Sequence, residues 1–95
     1  MVKRKLPRKF NLPFGSGLIT EEISIENPHW EPTVQYMEFK EGHAKGLKAL
    51  RFCVYGNKSF MRNVPLIIGN GDVRRLKKEI RSSNKIKKFL KRLVT

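Results

Sequence analysis

Cations and aromatic rings interleave over residues 48–62 of this chain, as Lys48, Arg51, Tyr55, Lys58, Phe60 and Arg62, with Tyr36 a short way upstream. Guanidinium and ammonium groups hold phosphates, while exposed rings stack on unpaired bases at about 1–3 kcal/mol per base. A duplex keeps its bases in the stack and would leave such rings idle. The mixture therefore suits a single-stranded nucleic acid. A plainer reading stands beside it: Tyr55 and Phe60 are core or lie in a dimer interface, and Arg51 and Arg62 are merely solvated.

Charge supports the first reading. Twenty-one Lys and Arg against eight Asp and Glu give a formal net charge of +13 over 95 residues. Residues 1–9 hold five cations and no acid, residues 74–95 ten cations and only Glu79, and residues 10–73 six cations against seven acids, so the sums are +5, +9 and −1. Clustered charge makes a local field that a polyanion feels, whereas scattered charge mostly serves solubility. Lys3, Arg4 and Lys5 join the candidate binding residues as a source of long-range attraction.

Other chemistry finds little support. His29, His43 and Cys53 lack the spacing of a zinc site, which wants about four N or S ligands. Cys53 lies between Phe52 and Val54 and reads as a packed thiol. Gly69-Asn70-Gly71-Asp72 lacks the Gly-Lys-Ser/Thr ending of a phosphate loop and reads as a turn with a helix cap. Glu21 and Glu22 would point to opposite faces of a strand and are expected to be solvated. No catalytic residue, metal or cofactor is expected, so a binding protein is favoured over an enzyme.

These residues need elements to position them. Residues 1–9 are basic, proline-punctuated and aperiodic, and read as a flexible arm. Pro13 and Gly15-Ser16-Gly17 break residues 10–20, with one short strand hinted at by Leu18, Ile19, Ile23 and Ile25. Residues 33–40 are rich in β-branched and aromatic side chains. Residues 47–55 alternate, with Leu50, Phe52 and Val54 on one side and Ala49, Arg51, Cys53 and Tyr55 on the other. After the Gly56-Asn57 turn, residues 58–68 read as a third strand, an edge or one interrupted at Pro65. Asp72 or Asn70 should cap a helix whose stripe is Val73, Leu76 and Ile80. A second stripe, Ile86, Phe89, Leu90 and Leu93, lies about 120° away on a straight helix, so two short helices or a bend at Ser82-Ser83-Asn84 are expected. Trp30 is expected to cover the core rather than to stack on a base.

The bulk numbers bound the rest. Ninety-five residues make one domain, and 39% apolar residues suffice for a small core. One cysteine excludes an internal disulfide and suits a reducing compartment. No apolar run reaches the ~18–20 residues of a membrane span, and the basic N-terminus lacks a signal peptide's apolar stretch. A cytoplasmic, nucleoid-associated location is expected, and abundant Lys, Glu and Ile with a single Gln would suit a thermophile. The last 25 residues also read as a basic amphipathic helix for an anionic membrane, but the stripe spans only about three turns without a boundary Trp.

Residues 33–80, about half the chain, resemble the single-stranded-DNA-binding domain of the transcriptional positive cofactor four family and the related whirly fold. The likeness lies in strands 33–40, 47–55 and 58–68, in Arg62-Asn63-Val64-Pro65-Leu66 leading out of the sheet, and in a helix over 72–81 with Leu76 and Ile80 placed to pack. Where that family often sets an aromatic residue early in the helix, this chain has Arg74 or Arg75. The resemblance implies a homodimer formed through helices and a role in transcription, replication or repair, with strand binding at Arg51, Tyr55, Lys58, Phe60 and Arg62. The expected architecture is α+β, a curved antiparallel sheet of about four strands over 18–68 with one or two helices over 72–94. Its expected partner is single-stranded DNA, or RNA, with little sequence preference. The rival expectation is a ribosomal or RNA-processing ribonucleoprotein component that threads its basic ends into structured RNA. A third is an acidic protein partner docked on the C-terminal helices.

Overall fold

The computed structural model describes residues 4–56 and 59–94, so the candidate residues Lys3 and Lys58 lie outside the described residues. The described residues form five antiparallel strands: β1 (Arg8–Leu12), β2 (Gly15–Ser24), β3 (Glu31–Glu41), β4 (Lys48–Gly56) and β5 (Ser59–Phe60). They pair in chain order as one meander. A single 3₁₀ turn (Asn70–Asp72) leads into α1 (Val73–Arg81) and α2 (Asn84–Val94). The class is α+β, with five strands where about four are expected.

The additional strand comes from the N-terminal third, and it corrects two expectations. From residue 4 on, the basic arm is fastened down, and Arg8 and Lys9 already belong to β1. Residues 10–20 are regular: β2 starts at Gly15 and pairs Phe10 with Gly17 on one side and Phe39 with Gly17 on the other. A side chain at Gly17 would overlap the Glu38 carbonyl oxygen, so glycine here permits close strand contact. Register shifts beside Gly17 and between Ile19 and Glu21 help the sheet curl.

The third strand is also corrected. Pairing stops after Phe60, and Asn63 takes a left-handed backbone with φ of 60°. Pro65 could not have donated to a ladder there in any case. Val64, Pro65 and Ile67 instead line a cleft of about 330 Å³ together with Val54 and Trp30. Trp30 is 39% exposed, a rim residue and not the core lid expected of it.

Two cores lie on opposite faces of the sheet. On the inner face of the curl, Phe10, Ile19, Met37 and Phe39 cluster beneath Leu6 and Ala44. On the outer face, Ile23 and Val34 meet Ile86 of α2, with Leu76, Ile80 and Leu90 around them. Leu76 and Ile80 of the first helical stripe and Ile86 and Leu90 of the second thus dock on one surface from two separate helices, with Ser82 and Ser83 at the break, while Val73 and Leu93 at the stripe ends stay exposed. Asp72 precedes α1, and its Oδ2 accepts the Gly69 N–H at 3.1 Å. No helix among the described residues is long and apolar enough to cross a membrane.

Ile86 is fully buried, so Ile86→Ala should cost about 2–5 kcal/mol in urea unfolding, whereas Leu93→Ala, 64% exposed, should stay within about 0.5 kcal/mol of the wild type.

Candidate nucleic-acid interface

Below the inner apolar cluster the same face is polar, and every strand from β1 to β5 contributes to it or packs on it. Gln35 on β3 is fully buried. Its amide donates to Glu22 Oε1 at 2.7 Å and to the Tyr55 hydroxyl at 3.0 Å, and its Oε1 accepts from Arg51 Nε at 2.7 Å. Glu22 in turn accepts from Arg4 Nε at 2.8 Å and Arg8 Nη2 at 2.7 Å. Arg4 Nη2 also reaches Glu31 at 3.0 Å and Ser24 at 3.0 Å. Arg8 on β1 reaches the Tyr55 hydroxyl on β4 at 3.3 Å, which the curl allows although two strands lie between.

Burial alone would raise the Glu22 carboxyl. Hydrogen bonds from Gln35 and Arg8 and the charges of Arg4 and Arg8 outweigh it and hold the group below the ordinary carboxylate value. On the outer face, hydrogen bonds from Lys85 and Lys40 are the main cause pulling Glu38 down to about 2. Glu21 takes the Lys85 backbone N–H at 3.0 Å and the Ser83 hydroxyl, placing a carboxylate at the start of α2. Glu21 and Glu22 therefore do face opposite ways, but neither is simply solvated: one fastens the helices and the other the N-terminal segment.

This arrangement sorts the candidate residues. Arg51, Tyr55, Phe60 and Arg4 come together. The Arg4 guanidinium lies 3.7 Å from the Tyr55 ring centre, Tyr55 meets Phe60 edge-on at 5.6 Å, and Arg51 sits 4.8 Å from the centre of Phe60. Tyr55 is only 7% exposed, so it is corrected from a stacking platform to part of the core, sealed by Arg4 and Phe60. Arg4 is likewise a structural ion-pair partner and not an attracting arm. Phe60, at 41% exposure, keeps an open ring. Tyr36 is on the other face, edge-on to Phe89 at 6.3 Å and near Lys85, and so does not join the group. Lys48 sits at the β4 end, 3.5 Å from Glu38. Arg62 and Lys5 are exposed.

Glu22, Gln35, Arg8 and Glu31 were missed by sequence reasoning. The available signal was scarcity: with eight acids among twenty-one cations, each carboxylate is a contested partner. Cys53 is buried, and desolvation pushes its thiol up to about 11, so thiolate is scarce near neutral pH.

The largest open charge lies elsewhere. α1 and α2 turn Leu76, Ile80, Ile86 and Leu90 to the sheet and expose Arg74, Lys77, Lys78, Arg81, Lys87 and Lys88. Arg75 pairs with Asp72, and Lys85 with Glu38. Among the described residues, no carboxylate pairs with those six exposed cations. Comparison with protein-family models, characterised proteins and solved structures finds no match for this chain.

Glu22→Gln should cost about 3 kcal/mol at neutral pH, because it leaves Arg8 without its counter-charge and Arg4 with Glu31 alone. Since the folded Glu22 carboxyl is depressed, its contribution is present above the unfolded value of about 4.3 and is lost as pH falls through the folded value. Urea unfolding across acid pH should therefore show a shallower acid limb in the variant than in the wild type.

Proposed function

We propose that this protein binds nucleic acid through the phosphate backbone, using the outer faces of α1 and α2 as the main contact and preferring single strands to duplex. The observation that carries this reading is the set of six exposed cations on the helix pair, none of them paired with a carboxylate among the described residues. A surface of that kind concentrates positive potential and attracts a polyanion without reading sequence. Lys5 and Arg62 extend the positive field at the sheet end. The preference for single strands rests on Phe60, whose exposed ring is flanked by the Arg51 guanidinium and could take one unstacked base. With Tyr55 and Tyr36 withdrawn, the platform is one ring wide, so affinity comes mainly from charge.

If about six phosphates are neutralised, log K for a single strand should fall with log salt with a slope near −4. Replacing Lys77, Lys78, Lys87 and Lys88 together by alanine should flatten that slope by about 3 and weaken all sequences alike. Phe60→Ala should cost about 1–3 kcal/mol on single strands and nothing on duplex. Fluorescence titrations of single-stranded DNA, single-stranded RNA and duplex at several salt concentrations read all three. A salt-independent affinity would refute the proposal, and tighter binding to a structured RNA than to any single strand would favour the ribonucleoprotein alternative.

A further inference from the structure

β4 is almost an edge strand, because β5 pairs only with Tyr55 and Gly56. Two observations show which backbone groups it leaves open. Pro32, which has no N–H, stands opposite Val54, and the Val54 carbonyl turns outward to accept the Met61 N–H at 2.9 Å. The Phe39 N–H donates to the Leu47 carbonyl, so odd-numbered residues of β4 bond inward to β3 and even-numbered ones point outward. Lys48, Leu50 and Phe52 thus present three N–H and three C=O groups with no partner among the described residues. The side chains beside this edge are apolar and open: Phe52 is 48% exposed, Leu47 50% and Leu93 64%. Such an edge is a template for another strand.

The geometry points to a second copy of this chain as that strand, joined antiparallel through β4 with its two-fold axis at Leu50. Only registers that keep each face on its own side are allowed, so like parity must face like parity. An axis at Phe52 would need the Val54 carbonyl, which Met61 already occupies, and would bring Lys48 into the place of β5. An axis at Arg51 would set two guanidiniums directly opposite each other, which is destabilising, and would leave Lys48 facing the occupied Val54. At Leu50 all six open groups of each edge find partners. Leu50 then faces its own copy, Arg51 faces Ala49, and Lys48 lies over the Phe52 ring of the second copy, a cation–π contact. The result is one ten-stranded sheet with both helix pairs on the same side. This inference does not rest on nucleic-acid binding, and it differs from a dimer formed through helices.

Each copy carries a formal charge of +13, so association is opposed by repulsion that salt screens. Sedimentation or light scattering without nucleic acid should show a dimer of the 11.1 kDa chain whose fraction rises with both protein and salt concentration. That sign is opposite to the one expected for nucleic-acid binding, which keeps the two ideas separable. Phe52→Lys should give monomer of unchanged circular dichroism. In a Cys53→Ser background, oxidised Leu50→Cys should form a covalent dimer, because facing Cα atoms in a bonded pair lie about 5.5 Å apart. Lys48→Cys should not, its equivalent being displaced by four residues, about 13 Å along the strand. Wild-type protein that stays an 11.1 kDa species at high protein and salt concentration would overturn the proposal, as would cross-linking of Lys48→Cys as readily as Leu50→Cys.

Discussion

A carboxylate almost removed from water needs compensation, and Glu22, with its side chain 6% exposed, has it from three directions. Arg4 and Arg8 supply charge, and the buried Gln35 amide supplies a neutral donor that also holds Tyr55 and Arg51. Most other features of the inner face depend on this arrangement. It draws the N-terminal segment across the curl, ties β1 to β4 through Tyr55, and leaves Arg51 lying along Phe60. Removing one member of such a network costs more than its own bonds, because its partners stay buried without compensation.

The consequence for function is a transfer of the candidate surface from one layer to another. Closing the inner face with Arg4 and Arg8 spends two of the N-terminal cations on Glu22 and Glu31, so this end of the chain contributes less free charge than its composition implies. On the helices, Arg75 and Lys85 are paired, while Arg74, Lys77, Lys78, Arg81, Lys87 and Lys88 have no carboxylate partner among the described residues. Adjacent residues on β2 govern both halves: Glu22 fastens the inner network, while Glu21 receives the first turn of α2 and orients the helix whose lysines face outward. In this way a short acidic pair fixes both the N-terminal segment and the second helix, while Glu31, Glu38 and Asp72 also pair with cations.

Elements governed by local periodicity were legible in the sequence. Alternation over 47–55 gave the correct facing of Leu50 and Arg51, and the slip between the Ile80 and Ile86 stripes gave the helix break. What escaped has no local period. Arg4 finds Glu22 and Glu31 from 18 and 27 residues away, so nothing near Arg4 distinguishes it from the cations of a loose arm. Gly15 and Gly17 look like breakers, and only the neighbouring strand shows why a strand there requires glycine. Tyr55 was placed on the right face, but alternation cannot tell that the face is curled shut over it.

Backbone amide NMR during titration with a single-stranded oligonucleotide distinguishes an open cationic face on the helices from one on the inner face of the sheet. Shifts should concentrate on the exposed sides of α1 and α2 and around Phe60 and Arg62, with Gln35 and Glu22 silent. Perturbations centred on Gln35 and Glu22, with the helix lysines unmoved, would instead place the oligonucleotide on the inner face.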